Sequence, residues 1–315
     1  MSQQTLISVK HLSRYYGGLC AVNNISFEVK RGQILGFLGA NGAGKSTTMQ
    51  MLAGALAPTT GEISIAGYDL LDSPLQAKSA VGYLPEQPPL YKDMLVEEYL
   101  TFCARLHRIP NKQIDEAVDR AIELCGLTEV YQRLIGNLSK GFQQRVGIAQ
   151  AIIHSPAVVI LDEPTVGLDP IQMREIRHLI TELGQEHSVI LSTHILPEVQ
   201  AVCSHVQIIH QGQLLLSDTI EGLFSQIKGQ SLQIGLRHPP TLNILKQIDG
   251  VEEVEQLDSH RLRIWHHTEA NPAEVIVTKS VASNWGLFEL IPEQQSLEQI
   301  FVNLTTEEDE LEEAA

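Results

Sequence analysis

Cysteine is scarce: Cys20, Cys103, Cys125 and Cys203 are the four thiols in 315 residues. No two of them form a CxxC pair, which excludes a clustered thiolate metal site. They read as free thiols of a reducing compartment rather than a disulfide framework. Long apolar runs are also missing, and nothing approaches the ~18 residues that a membrane span needs. The opening MSQQTLISVKHL has no apolar centre of the kind a secretory signal carries. Positive charge is in short supply, with 22 Lys and Arg against 38 Asp and Glu and a net charge of −16. Without a cationic excess to neutralise phosphates, a nucleic-acid backbone is excluded as the main partner. These absences predict a cytosolic chain that reaches a membrane only through a partner.

What is present is an ordinary globular composition, 43% hydrophobic and 19% charged. The length suits one large or two modest domains. The organising stretch is 33–55, QILGFLGANGAGKSTTMQMLAGA. Its apolar run Ile34–Leu38 reads as a buried strand, and a helix is predicted from Lys45. Between them, Gly39-Ala40-Asn41-Gly42-Ala43-Gly44-Lys45-Ser46 fits G-x-x-x-x-G-K-[ST], the P-loop. Small residues let successive main-chain N–H groups point inward around phosphate oxygens. The helix N-terminus adds partial positive charge. Lys45 supplies a point charge for the β- and γ-phosphates, and the Ser46 hydroxyl can ligand Mg²⁺. A ligand-free glycine turn is the plainer alternative, disfavoured because strand and helix flank the motif in the right order. The chain therefore binds a nucleoside triphosphate.

Residues 5–36 alternate short apolar runs with turns and predict a small antiparallel sheet leading into the P-loop strand. Tyr15 and Tyr16 lie in it; an aromatic there could stack on a base or simply pack on the sheet edge. A hairpin is expected around GEISIAGYDL and a strand at Ala80–Leu84. Apolar spacing predicts helices over Leu95–His107, Lys112–Cys125 and, capped by Asn137-Leu138-Ser139, about Lys140–Ile153. Ala157–Leu161 and Ser188–Ser192 are unbroken apolar runs, as in strands of a parallel sheet buried on both faces. The helix Ile171–Leu183 separates them. A short helix near Leu196–Val202 and strands near Val206–His210 and Gln213–Leu216 follow.

The first buried run ends in Asp162-Glu163. In a P-loop protein the first carboxylate after such a strand holds Mg²⁺. Its neighbour Glu163 can polarise a water toward the γ-phosphate. Two adjacent buried carboxylates would be costly without a cation. His194 ends the other buried strand, where it could donate a hydrogen bond to charge developing on the phosphate.

Residues 229–304 read as a second unit of order βαββαβ, a split-βαβ, ferredoxin-like pattern closed by a helix at Ser296–Leu304. No chemistry is evident there. His266-His267 would point to opposite faces of a strand, which argues against a shared metal. The acidic tail 305–315 is expected to be solvated and disordered.

Taken in order, these features resemble the nucleotide-binding subunit of an ATP-binding cassette (ABC) transporter. The resemblance covers about 5–220. It implies an α/β P-loop cassette over 1–228 with a parallel sheet core, an antiparallel β subdomain and a helical subdomain at about 90–155. It identifies Tyr16 as the adenine-stacking aromatic and Gly39–Thr47, including Thr47, as the Walker A loop. Leu138-Ser139-Lys140-Gly141-Phe142-Gln143-Gln144-Arg145 resembles the LSGGQ signature, so Ser139 and Gly141 are expected at the phosphates of a second copy. Val158–Glu163 matches Walker B, Gly167-Leu168-Asp169 the D-loop and His194 the switch histidine. Lys140 and Phe142 depart from the signature. The family's Q-loop glutamine falls on Glu86, with Gln87 one place later; either oxygen could reach Mg²⁺, and Glu86 is preferred. These departures resemble a branch of bacterial exporters with a separate permease chain, similar to gliding-motility and drug-export ATPases. The implied protein hydrolyses ATP with Mg²⁺ as a homodimer on the inner face of the membrane. A soluble ABC ATPase acting on a macromolecular complex is the alternative; it usually carries tandem cassettes, coiled-coil insertions or basic surfaces, which this chain lacks.

Overall fold

The computed structural model describes residues 4–226, 230–267 and 270–293. The chain divides into two units, Met1–Ile220 and Glu221–Ala315.

The first unit opens with a hairpin of two twelve-residue strands, β1 (Thr5–Tyr16) and β2 (Leu19–Lys30). The sequence suggested three shorter runs. The difference lies at His11 and Asn24, which adopt positive φ and shift the strand register without ending either strand. Strand β3 (Ile34–Leu38) then enters the core and helix α1 (Lys45–Leu52) leaves the P-loop. The next segment holds β4 (Thr60–Ile65), β5 (Tyr68–Asp69), helix α2 (Pro74–Ser79) and strand β6 (Val81–Leu84). Ala66 and Gly67 both take positive φ, which is what a two-residue hairpin turn between β4 and β5 requires.

Three helices come next: α3 (Val96–Leu106), α4 (Ile114–Leu124) and α5 (Lys140–Ile152). Helices α3 and α4 contact each other and bury one stripe each, with Val96, Leu100 and Ala104 on α3 and Val118 and Ala121 on α4, whereas α5 is buried more fully, Val146–Ala149 included. Where α3 and α5 end, the rings of His107 and His154 stack with centroids 3.8 Å apart. The His154 Nε2 lies 3.1 Å from the Val81 carbonyl oxygen, tying the helices to β6.

The core sheet resumes with β7 (Val158–Asp162), helix α6 (Pro170–Glu186), β8 (Ser188–Thr193), helix α7 (Leu196–Val202), β9 (His205–His210) and β10 (Gln213–Thr219). Its order is β10-β9-β3-β8-β7-β6, while β2-β1-β4-β5 form a separate antiparallel sheet. Strands β9, β3, β8, β7 and β6 run parallel, and every residue of β7 and β8 is buried. Unbroken apolar runs are what such doubly covered strands demand. Because the strands are parallel, the P-loop and the residues after β7 and β8 emerge at the same edge.

Helix α8 (Ile220–Gln226) was not anticipated from the sequence. The second unit contains β11 (Gln230–Leu236), α9 (Leu242–Lys246), β12 (Val251–Gln256), β13 (Arg261–His266), α10 (Ala273–Ala282) and β14 (Leu287–Glu293). Its antiparallel sheet has the order β12-β13-β11-β14, the arrangement of a split βαβ fold. Leu232, Ile234, Leu262 and Ile264 meet Leu245, Ile248 and Ile276 in its own core. His266 is buried in this unit, while His267 pairs with Glu252 at 2.6 Å. The closing helix read at Ser296–Leu304 and the acidic tail lie outside the described residues. Among the described residues no helix is long and apolar enough to cross a membrane.

Candidate active site

At the shared edge of β3, β7 and β8 lies a cleft of about 360 Å³. Its walls include Asn41, Gly42, Gly44, Lys45, Ser46 and Thr47 of the P-loop, with Glu86, Glu163, Val166 and His194 opposite. Gly44 sits at φ +105°, and a Cβ there would stand 2.5 Å from the Ala21 carbonyl oxygen. Only glycine lets the loop lie this close to β2 while entering the helix. The first-turn amides of α1 have no helical acceptor and no side-chain cap, so they face the cleft as donors.

Lys45 is 5% exposed. Its Nζ donates to the carbonyl oxygens of Gly39 at 2.9 Å and Ala40 at 3.2 Å, and lies 3.2 Å from Glu163 Oε1. The other Glu163 oxygen is 2.9 Å from His194 Nδ1. Glu163 itself adopts φ 48°, with its N–H donating to the Ser192 carbonyl at 3.0 Å. This left-handed turn directs the carboxylate back over the strand ends, and such a conformation persists only where its surroundings hold it. Buried Lys45 and Glu163 and the half-exposed His194 thus form one chain of charge-assisted contacts, joining residues 118 and 31 positions apart through the parallel topology.

Asp162 ends β7 and accepts from Ser192 Oγ at 2.6 Å and Ser46 Oγ at 3.2 Å. Burial raises its pKa above the usual carboxylate value; the Ser192 and Ser46 hydroxyls oppose that rise, and the charges of Glu163 and Glu86 add to it. Burial, with the charge of Asp162, also raises the pKa of the Tyr83 phenol. Oxygen donors converging in a field this negative suit a hard divalent cation such as Mg²⁺. Ser46, Asp162 and Glu86 are the residues that would hold it. Of the two Q-loop alternatives, Glu86 lines the cleft and Gln87 is not among its lining residues.

Other expected residues lie elsewhere. Tyr16 is 45% exposed at the end of β1, with the Arg14 guanidinium 4.7 Å above its ring, and does not line the cleft. Ser139 is the N-cap of α5 and accepts from the Phe142 N–H. Asp169 is the N-cap of α6, accepting from Ile171 and Gln172 N–H groups at 2.9 Å each. Gly141 packs against the Gln172 side chain, and the Lys140 ammonium lies over Gly167. The signature and D-loop residues are therefore neighbours of each other. Ala21 and Val166 line the cleft without any sequence signal to mark them. Ser192 is likewise hidden inside an apolar run, although it holds Asp162.

A family model described as ABC transporter matches residues 22–166. The bacitracin transport ATP-binding protein BcrA of Bacillus licheniformis is 40% identical over 67% of this chain and 69% of its own. The chain belongs to the ABC transporter ATP-binding family. As a member it is an ATPase that binds ATP. The linearmycin resistance ATP-binding protein LnrL of Bacillus subtilis (strain 168) is 30% identical over 95% of this ABC subunit and 98% of its own length. A solved structure described as the ATP binding subunit of an ABC transporter superposes with a TM-score of 0.64, at 32% identity, over 70% of this chain and 92% of that one.

Proposed function

We propose that this ATPase powers export by a membrane permease, with two copies closing on ATP and Mg²⁺. One observation carries the reading. The cleft is lined by the P-loop, Glu86, Glu163, Val166 and His194, whereas Ser139 and Gly141 are not among its lining residues. Ser139 instead presents the N-terminus of α5 outside this cleft, ready for the cleft of a second copy.

In this reading the P-loop amides and Lys45 grip the triphosphate, Tyr16 supports the adenine, and Ser139, Gly141 and Asp169 act across the dimer. Mg²⁺ on Ser46, Asp162 and Glu86 would neutralise phosphate charge. Glu163 takes a proton from the attacking water, whose oxygen bonds to the γ-phosphorus as ADP leaves. His194 orients Glu163 and donates toward the transferring group. The names of BcrA and LnrL, bacitracin transport and linearmycin resistance, support an export role, and a permease partner would hold the subunit at the inner membrane face.

Glu163→Gln tests this. It should keep ATP affinity, lose turnover by about a hundredfold or more, and run as a dimer on size exclusion with ATP and Mg²⁺. A strictly monomeric Glu163→Gln protein refutes the trans site.

A further inference from the structure

Helix α7 carries an acidic side chain for which the reading above has no use. Glu198 is 1% exposed, one turn after the residue that orients Glu163. Buried carboxylates are rare unless something specific holds them. The Thr193 hydroxyl donates to Glu198 Oε2 at 2.9 Å. The same Thr193 oxygen accepts from the Ile195 N–H at 3.0 Å. Thr193 and Ile195 flank His194, so one buried oxygen fixes both sides of the turn that presents the imidazole. The Thr193 side chain is itself completely buried. Glu198 Oε1 makes no hydrogen bond and lies 3.6 Å from the Arg177 guanidinium on α6. Helix α6 is the one capped by Asp169.

We infer that Glu198 is a positioning residue for hydrolysis: through Thr193 it fixes the His194 turn so that Nδ1 meets Glu163, and Arg177 supplies its countercharge from α6. The inference rests on the proposed roles of His194 and Glu163. A carboxylate is suited to the task because it must accept strongly from the hydroxyl while the hydroxyl's lone pair receives the Ile195 amide. Isolated, this carboxylate would be costly to bury, so its retention beside the switch histidine has a mechanical consequence. The imidazole is half-exposed and its only described partner is Glu163, so its place depends on the turn beneath it.

Steady-state ATP hydrolysis by the full chain with Mg²⁺ tests the idea. Glu198→Ala and Thr193→Val should each lower kcat about ten- to a hundredfold, the cost of misplacing a catalytic group by about an ångström. KM for ATP should stay within about twofold, since the phosphate grip is untouched. Thr193→Ser keeps the hydroxyl and should restore kcat. In a His194→Ala background Glu198→Ala should cost nothing further, because both act through one contact. The thermal midpoint of each variant reports folding separately. If Glu198→Ala and Thr193→Val fold and turn over at the wild-type rate, the inference fails. It also fails if they lower kcat equally with and without His194, which marks general damage. Absence of turnover in the wild-type chain would instead refute the functional reading.

Discussion

Lys45 and Glu163 should be energetically coupled before any nucleotide arrives. Their side chains are 5% and 7% exposed, and Nζ lies 3.2 Å from Oε1. At an effective dielectric of about 20 the attraction is roughly 5 kcal/mol. Lys45→Met leaves the Glu163 carboxylate buried with His194 as its remaining partner, at a cost of about 3 kcal/mol. Glu163→Gln costs less, about 1–2 kcal/mol, since Nζ keeps the Gly39 and Ala40 carbonyls. In a unit of this size each kcal/mol moves the midpoint by about 2–4 °C, so Lys45→Met should melt about 6–12 °C lower. The double variant removes both charges together and should recover about 1.5–3 kcal/mol relative to the sum of the single losses. Differential scanning calorimetry at neutral pH with EDTA and no nucleotide measures all four proteins. If the two losses simply add, the pair is not coupled and the buried Lys45–Glu163 contact has no energetic meaning.

Two further outcomes follow from the same unit. Gly44→Ala puts a Cβ 2.5 Å from the Ala21 carbonyl oxygen at φ +105°; it should cost about 1–3 kcal/mol of stability and abolish ATP binding in calorimetry. The stacked His107 and His154 give an acid sensitivity. Burial, with the charge of His107, pushes His154 down to about 4, and burial lowers His107 as well. The folded state then binds fewer protons than the unfolded chain, so stability is full above the ordinary histidine value and is lost as pH falls from about 6.5 toward 4. His154→Gln should flatten the thermal midpoint over that window; an unchanged acid slope would show that other groups dominate.

The parts of the site legible in the sequence are those whose chemistry dictates local pattern. The P-loop needs small residues at fixed spacing, and Asp162-Glu163 follow an apolar run because β7 is buried on both faces. His194 could be placed because β8 has the same signature. Spacing along the chain is silent on what the parallel sheet brings across it: Ser192 beneath Asp162, Ala21 against Gly44, Glu198 beneath His194. Asp169 was readable as a loop residue, but its job as an N-cap depends on where α6 begins. In sequence the hairpin of β1 and β2 reads as shorter pieces because bulges at His11 and Asn24 interrupt the period-two pattern while the pairing continues. Helix α8 lies next to the division between the two units, with no apolar stripe long enough to signal it.

The preponderance of negative groups in the cleft has a consequence for which nucleotide it admits. Among the described lining residues Glu86 and Glu163 face a single lysine, and the buried Asp162 accepts from the lining Ser46 hydroxyl. A bare triphosphate would approach against like charge in a recess where repulsion is far steeper than in bulk water. A chelated one would arrive partly neutralised, with a cation suited to the Asp162 carboxylate. With the proposed Mg²⁺ site, the cleft would sort nucleotides by ionic state as well as by shape, and free magnesium would throttle turnover even when ATP is plentiful.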